Sequence, residues 1–166
     1  GETINSILRQ AAEKAPDSIF LDFQGEMHSY AETLQAALQV AHGLVALGVK
    51  PGDTVVSVLD NNFDAVICWF GINFAGAISV PVNTAYKGEF LRHQIADATA
   101  AVLIAESDYA DRVLAVADRL PLVKALLYRG DGPSATAADC NVAPLASIRC
   151  DGDDASLPEA KPGDLA

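Results

Sequence analysis

Gly48-Val49-Lys50-Pro51-Gly52-Asp53-Thr54-Val55-Val56-Ser57-Val58-Leu59 is the stretch that decides the fold. Gly48 supplies the left-handed residue that ends a helix. Pro51 fixes its own φ and Gly52 tolerates a positive one, so the chain turns there. The β-branched run Thr54 to Leu59 then fits a buried parallel strand. Just upstream, Ser29 can cap a helix, and Glu32 can reach back to it as in a capping box. Leu34, Ala37, Leu38, Ala41, Leu44, Val45 and Leu47 make that helix's buried stripe.

The same alternation continues on both sides. Towards the amino terminus, Ile4, Ile7, Leu8, Ala11, Ala12 and Ala15 recur at helical spacing until Pro16, and Ile19 to Phe23 and Glu26 to His28 read as a hairpin around Gly25. Downstream, Asp60-Asn61-Asn62 caps a helix carrying Phe63, Val66, Ile67, Phe70 and Phe74, closed by Gly76. Strand Ala77 to Val80 stops at Pro81, which has no ladder donor to give. A polar loop from Asn83 to Gly88 leads to a helix with Phe90, Leu91, Ile95 and Ala98. Ala101 to Ala105 is a further strand, Ser107 caps a helix from Asp108 to Leu120, and Val123 to Tyr128 is the last strand. From Arg129 the chain turns loop-rich, with a short helical patch from Val142 to Ile148. The expected organisation is an α/β subdomain over 1–128 and a tail over 129–166. Strands alternating with helices imply right-handed βαβ units, so the expected fold class is α/β, a largely parallel β-sheet with helices on both faces.

At 166 residues, with 51% hydrophobic and 20% charged side chains, the chain can close a core. Its net charge of −11 repels phosphate backbones and anionic lipid, which makes nucleic acid and bare membrane poor partners. Cys68, Cys140 and Cys150 are odd in number and form no CxxC pair, against a disulfide framework or a zinc site. No apolar run is long enough to span a bilayer, and the first residues lack a signal-peptide pattern, so the expected location is cytoplasmic.

The usual carriers of chemistry are missing. No G-x-G-x-x-G, P-loop or G-x-S-x-G phrase occurs. His28, His42 and His93 lack ligand spacing, and His42 reads as structural. Cys68, between Ile67 and Trp69, reads as a small hydrophobe, and Trp69 with its neighbouring phenylalanines reads as core. Asp151-Gly152-Asp153-Asp154 lacks the spaced ligands of a calcium loop and reads as solvated linker. Side-chain chemistry alone yields no catalytic or metal residue.

The order of the punctuated segments carries a resemblance. Ser29-Tyr30-Ala31-Glu32-Thr33-Leu34 resembles the early [ST]-Y-x-E-L phrase of adenylate-forming enzymes, with Thr33 inserted before the leucine. Gly48 to Val55 resembles their G-V-x-x-G-D-x-V step. Asn61-Asn62-Phe63-Asp64-Ala65 is similar to N-[ST]-x-E-x, with Asn62 and Asp64 as departures. Phe74 to Asn83 resembles x-A-G-A-x-x-V-P-[VIL]-[ND], and Glu89-Phe90-Leu91 the E-L that opens the next helix. Taken in this order, the motifs resemble the amino-terminal part of an acyl-CoA synthetase of the AMP-binding, adenylate-forming superfamily. Pro162-Gly163-Asp164-Leu165-Ala166 resembles the phrase that precedes the family's ATP phosphate loop, so that loop, the magnesium-associated glutamate and the adenylation lysine find no match here.

The resemblance implies a parent enzyme using ATP, Mg2+ and CoA, an acid–thiol ligase for a fatty, aryl or carnitine-like carboxylic acid. It implies a fragment that is inactive alone, binds none of these tightly and docks on the remainder of the enzyme, with a homodimer left open. It also implies CoA-binding roles for Asn83, Thr84 and Arg112, a guanidinium being able to pair with a CoA phosphate; the alternative is that Arg112 pairs with Asp108 or Asp111 on its own helix. The rival readings are a free-standing Rossmann- or flavodoxin-like nucleotide-binding domain, and an interaction module without catalysis.

Overall fold

Thr3 opens the first helix by a reciprocal cap: its hydroxyl accepts the Ser6 amide at 3.1 Å, and Ser6 Oγ accepts the Thr3 amide at 2.9 Å. The computed structural model describes residues 3–158, and the phrase Pro162 to Ala166 lies outside them. Residues 3–52, Asn61–Ile78 and residues 149–158 form one compact unit; Asp53–Asp60 and Ser79–Ile148 form a second.

In the first unit, helix α1 (Ile4–Lys14) buries Leu8 and Ala12. Strands β1 (Ile19–Phe23) and β2 (Glu26–Ser29) make an antiparallel hairpin, with Gln24 and Gly25 both at positive φ in the turn. Ser29 caps helix α2 (Tyr30–Ala46) by accepting the Glu32 amide at 3.1 Å. The reciprocal half of the expected capping box is not made, because the Glu32 carboxylate turns to His28 Nδ1 at 2.7 Å. Asn62 caps helix α3 (Phe63–Phe74) by accepting the Ala65 amide at 3.0 Å.

Helices α2 and α3 cross very closely at Gly71, where an added Cβ would lie 2.7 Å from Val40 Cβ and 2.9 Å from the Ala37 carbonyl oxygen. Ile67, Phe70 and Phe74 of α3 are buried, at the helical spacing the sequence predicts. Trp69 falls off that stripe and stays 38% exposed, so it is not the core residue expected of it.

The acidic stretch expected to be solvated linker is fastened to α2. Gln39 Oε1 accepts from Arg149 Nη2 at 2.8 Å, and Gln39 Nε2 donates to Asp151 Oδ1 at 3.0 Å. His42 Nε2 donates to Asp154 Oδ1 at 2.7 Å, and Gly152 lies so near the imidazole that a Cβ there would be 2.6 Å from Nδ1. His42 is thus structural, as read from the sequence.

The second unit is built on the sheet. Strands β3 (Thr54–Val58), β4 (Ile78–Pro81), β5 (Val102–Glu106), β6 (Ala125–Arg129) and β7 (Asn141–Pro144) lie in the order β4-β3-β5-β6-β7. β3, β5, β6 and β7 pair in parallel, with Val56 opposite Leu103, Leu103 opposite Leu126, and Leu126 opposite Val142. Every residue of β5 is buried, as expected of a central parallel strand. Its core joins Val56, Leu103 and Leu126 to Leu91 and Ile95 of helix α4 (Gly88–Ala98) and to Val113 and Leu114 of helix α5 (Ser107–Leu114). The fold is α/β, a parallel sheet flanked by helices.

Three local expectations are corrected. Ser107 does not cap α5: its hydroxyl donates to the Arg129 carbonyl and accepts the Gly132 amide, each at 2.8 Å, tying the end of β5 to the loop after β6. α5 stops at Leu114, and a separate short 3-10 turn spans Ala117–Arg119. The patch expected to be helical from Val142 begins instead as β7, because β6 offers it a free edge, and only Leu145–Ile148 form a helical turn, α6.

Candidate functional site

Strand order points to one place in the second unit. The connection after β3 leads to β4 on one side of the sheet, and the connection after β5 leads to β6 on the other. Ligands of open parallel sheets bind at the carboxyl ends of strands where the winding reverses in this way. At this point the polar residues that end the strands converge.

Glu106 closes β5 with its side chain only 10% exposed. Its Oε1 accepts the Asp60 amide at 3.3 Å and its Oε2 accepts from Arg129 Nη1 at 3.3 Å. Glu106 and Arg129 face each other because they are register partners on β5 and β6. Tyr109, in the first turn of α5, donates its hydroxyl proton to Asp60 Oδ1 at 2.8 Å. The Asp60 carboxylate, then burial, raise the Tyr109 pKa above its usual value, while a hydrogen bond from the Thr84 side chain acts the other way. One turn on, Arg112 Nη1 donates to the Thr84 carbonyl at 2.8 Å, and its guanidinium lies 5.1 Å from the centre of the Tyr109 ring.

Of the residues that the resemblance implies for CoA, Thr84 and Arg112 are therefore directly bonded. Asn83 sits next to them, but its side chain is engaged locally, Oδ1 accepting the Ala85 amide at 2.8 Å. Arg112 does not pair with Asp111, whose Oδ1 instead accepts the Ala135 amide at 2.7 Å. Asp60, Glu106, Tyr109 and Arg129 were not singled out by sequence reading. The available signal was a charged or polar residue placed at the carboxyl end of each apolar strand run.

Chemically, this edge can bind and orient: the Tyr109 hydroxyl, its pKa raised beside Asp60, keeps its proton and acts as a hydrogen-bond donor. The Cys68 thiol is wholly buried in the other unit, where burial, with the Asp64 charge, pushes its pKa far up and keeps it protonated. Arg112 spends one N–H on Thr84, and the remainder of its fork has the donor geometry that suits a phosphate. Among the described residues no three His, Cys, Asp or Glu side chains converge to hold a metal ion, so none is assigned to magnesium. Nor is any described helix long and apolar enough to cross a membrane.

Compared with known families, residues 8–166 match the AMP-binding enzymes. The chain belongs to the AMP-binding enzyme family. A relative of this AMP-binding chain is the long-chain-fatty-acid--CoA ligase of Bacillus subtilis, 32% identical over 141 residues, covering 76% of this chain and 25% of that protein. A phosphinothricin tripeptide synthetase of Streptomyces viridochromogenes is 32% identical over 110 residues, covering 66% of this chain and 10% of that protein. Among solved structures, a Rhodopseudomonas palustris protein described as a long-chain-fatty-acid CoA ligase superposes with a TM-score of 0.84 at 26% identity, covering 98% of this chain and 40% of that one. This AMP-binding chain spans a quarter or less of the length of these two curated relatives. The family match does not favour the rival readings as a free-standing nucleotide-binding or interaction domain.

Proposed function

We propose that the chain is the amino-terminal part of an ATP-dependent acyl-CoA synthetase. The parent reaction turns a carboxylic acid, ATP and CoA into acyl-CoA, AMP and pyrophosphate by way of an acyl-adenylate. The observation that carries this reading is the family match over residues 8–166, with a CoA ligase among the relatives that share most of the chain. Asn83-Thr84-Ala85-Tyr86-Lys87-Gly88-Glu89 supports CoA over amino-acid adenylation, since it resembles acyl- and aryl-CoA ligases and lacks the Asp-Pro step of amino-acid adenylation domains. The acid is a fatty, aryl or carnitine-like carboxylate, and the setting is cytoplasmic.

In this reading the chain alone makes no adenylate, because none of its residues match the ATP phosphate loop or the adenylation lysine. Magnesium, when bound with ATP, supplies charge neutralisation at the phosphates. The contribution of this chain is positional. Tyr109 and Arg112 project from successive turns of α5 and hold the Asn83–Thr84 loop through the Thr84 side chain and carbonyl. The remaining Arg112 donors would be the ones to pair with a phosphate of CoA.

A charge-assisted hydrogen bond of this kind contributes about 1.5–3 kcal/mol, roughly ten- to a hundredfold in affinity. In the whole protein that carries this chain, Arg112→Ala is expected to raise the KM for CoA by about that factor, while acid-dependent pyrophosphate release in the absence of CoA stays at its original rate. An unchanged KM for CoA would remove Arg112 from the site.

A further inference from the structure

His28, which the proposed function does not use, sits between two carboxylates. Its Nδ1 lies 2.7 Å from Glu32 Oε1 and its Nε2 lies 2.9 Å from Glu26 Oε1. A carboxylate only accepts, so both ring nitrogens must carry a proton for both contacts to be hydrogen bonds. The ring is also stacked on Phe63, 3.6 Å between centroids and 3° from parallel. His28 is 8% exposed. One side chain thus joins three elements of the same unit: its own strand β2, the first turn of α2 through Glu32, and the first residue of α3 through Phe63.

We propose that His28 is a proton-dependent latch, which in its doubly protonated form holds the β1–β2 hairpin to the first turns of α2 and α3 and releases the hairpin when one ring proton is lost. A neutral imidazole has a single N–H, so one of the two carboxylates, each more than half exposed, would then face a ring lone pair. That contact turns from a charge-assisted hydrogen bond into a repulsion. The attraction between a cationic ring and the face of Phe63 disappears in the same step.

The charged groups that act on the ring are acidic. Glu26 faces it from β2 and Glu32 from α2. Asp64 follows Phe63 in α3 and adds a further negative charge to that helix. On β1, Leu21 is the register partner, and the neighbouring Asp22 accepts the Gly25 amide at 2.8 Å. Burial favours the neutral ring, but the hydrogen bonds and charges of Glu32 and Glu26 outweigh it, so the His28 pKa is raised above 6.5. A group raised in the folded state contributes its full stabilisation below the ordinary value of 6.5 and loses it as pH climbs through the higher folded-state value. The latch is therefore closed in mild acid and opens on the alkaline side.

Nitrogen NMR of the imidazole rings in the chain, with hydrogen exchange of the Glu26–Ser29 amides read against those of α2, tests this. At pH 6.5, the ordinary histidine midpoint, both His28 ring nitrogens should report mainly the protonated form, with a midpoint above that of the same residue in the urea-unfolded chain. Hairpin protection should fall, relative to α2, over the same pH range in which the ring titrates. Glu26 is largely exposed, and E26Q should lower the midpoint and move the loss of protection down with it. A neutral single-tautomer ring at pH 6.5, or hairpin protection indifferent to the ring's titration, would overturn the proposal.

Discussion

Gly71 shows how much one missing methyl group can decide. With Val40 Cβ and the Ala37 carbonyl oxygen both inside 3.0 Å of where a Cβ would stand, α2 and α3 can only meet across a glycine. Overpacking of this kind costs about 1–3 kcal/mol, and Gly71→Ala should lower the urea midpoint accordingly; an unchanged midpoint would mean the helices yield without strain. Glu89 makes a different point at the surface. Arg92 Nε donates to its Oε1 at 2.8 Å and Arg119 Nη1 to its Oε2 at 2.7 Å. The hydrogen bonds from Arg92 and Arg119 hold the carboxyl from its ordinary 4.5 down to about 2. The interaction is therefore present at and above the ordinary carboxylate range, and disappears only as pH falls through about 2. Carbon NMR of the Glu89 carboxyl should give a midpoint near that value, and Arg119→Ala should move it upward. The Arg119 partner was not readable beforehand, because it is thirty residues from Glu89 and meets it only once the sheet has formed.

At the level of elements, local signals were legible wherever the chain's own neighbours decide the outcome. The caps at Ser29 and Asn62, the helix end at Gly48 and the apolar strand runs all act within a few residues; the caps and the helix end stand where the sequence places them, and the strands within two residues of it. Ser29→Ala should destabilise the chain by about 1 kcal/mol through the lost cap, measured by chemical unfolding, and Glu32→Gln should leave that cap intact because the Glu32 side chain is turned to His28. The missed elements are those decided at long range. Ser107 looked like a cap and is drawn away to Arg129 and Gly132 across the β5–β6 edge. Val142 looked helical and is taken up as β7, since an open strand edge outweighs a modest local propensity. Asp151 and Asp154 looked free and find Gln39 and His42 over a hundred residues earlier in the chain. The candidate site was half legible for the same reason. Thr84 and Arg112 came from a family pattern, whereas Asp60, Glu106, Tyr109 and Arg129 become a group only through strand order and register.

For the molecule as a whole, the parallel sheet gathers polar groups at the carboxyl ends of its strands. That gathering suits a scaffold whose loops hold part of a substrate. The central claim is that this scaffold serves an AMP-forming CoA ligase. Its most direct measurement is acid-dependent pyrophosphate release and CoA thioester formation, with ATP, magnesium, CoA and a panel of fatty and aryl acids, comparing the chain alone with the whole protein that carries it. Pyrophosphate and a CoA thioester are expected from the whole protein for at least one acid, and neither from the chain alone. Robust pyrophosphate release by the chain itself, or a whole protein that adenylates acids yet never transfers them to CoA, would contradict that claim.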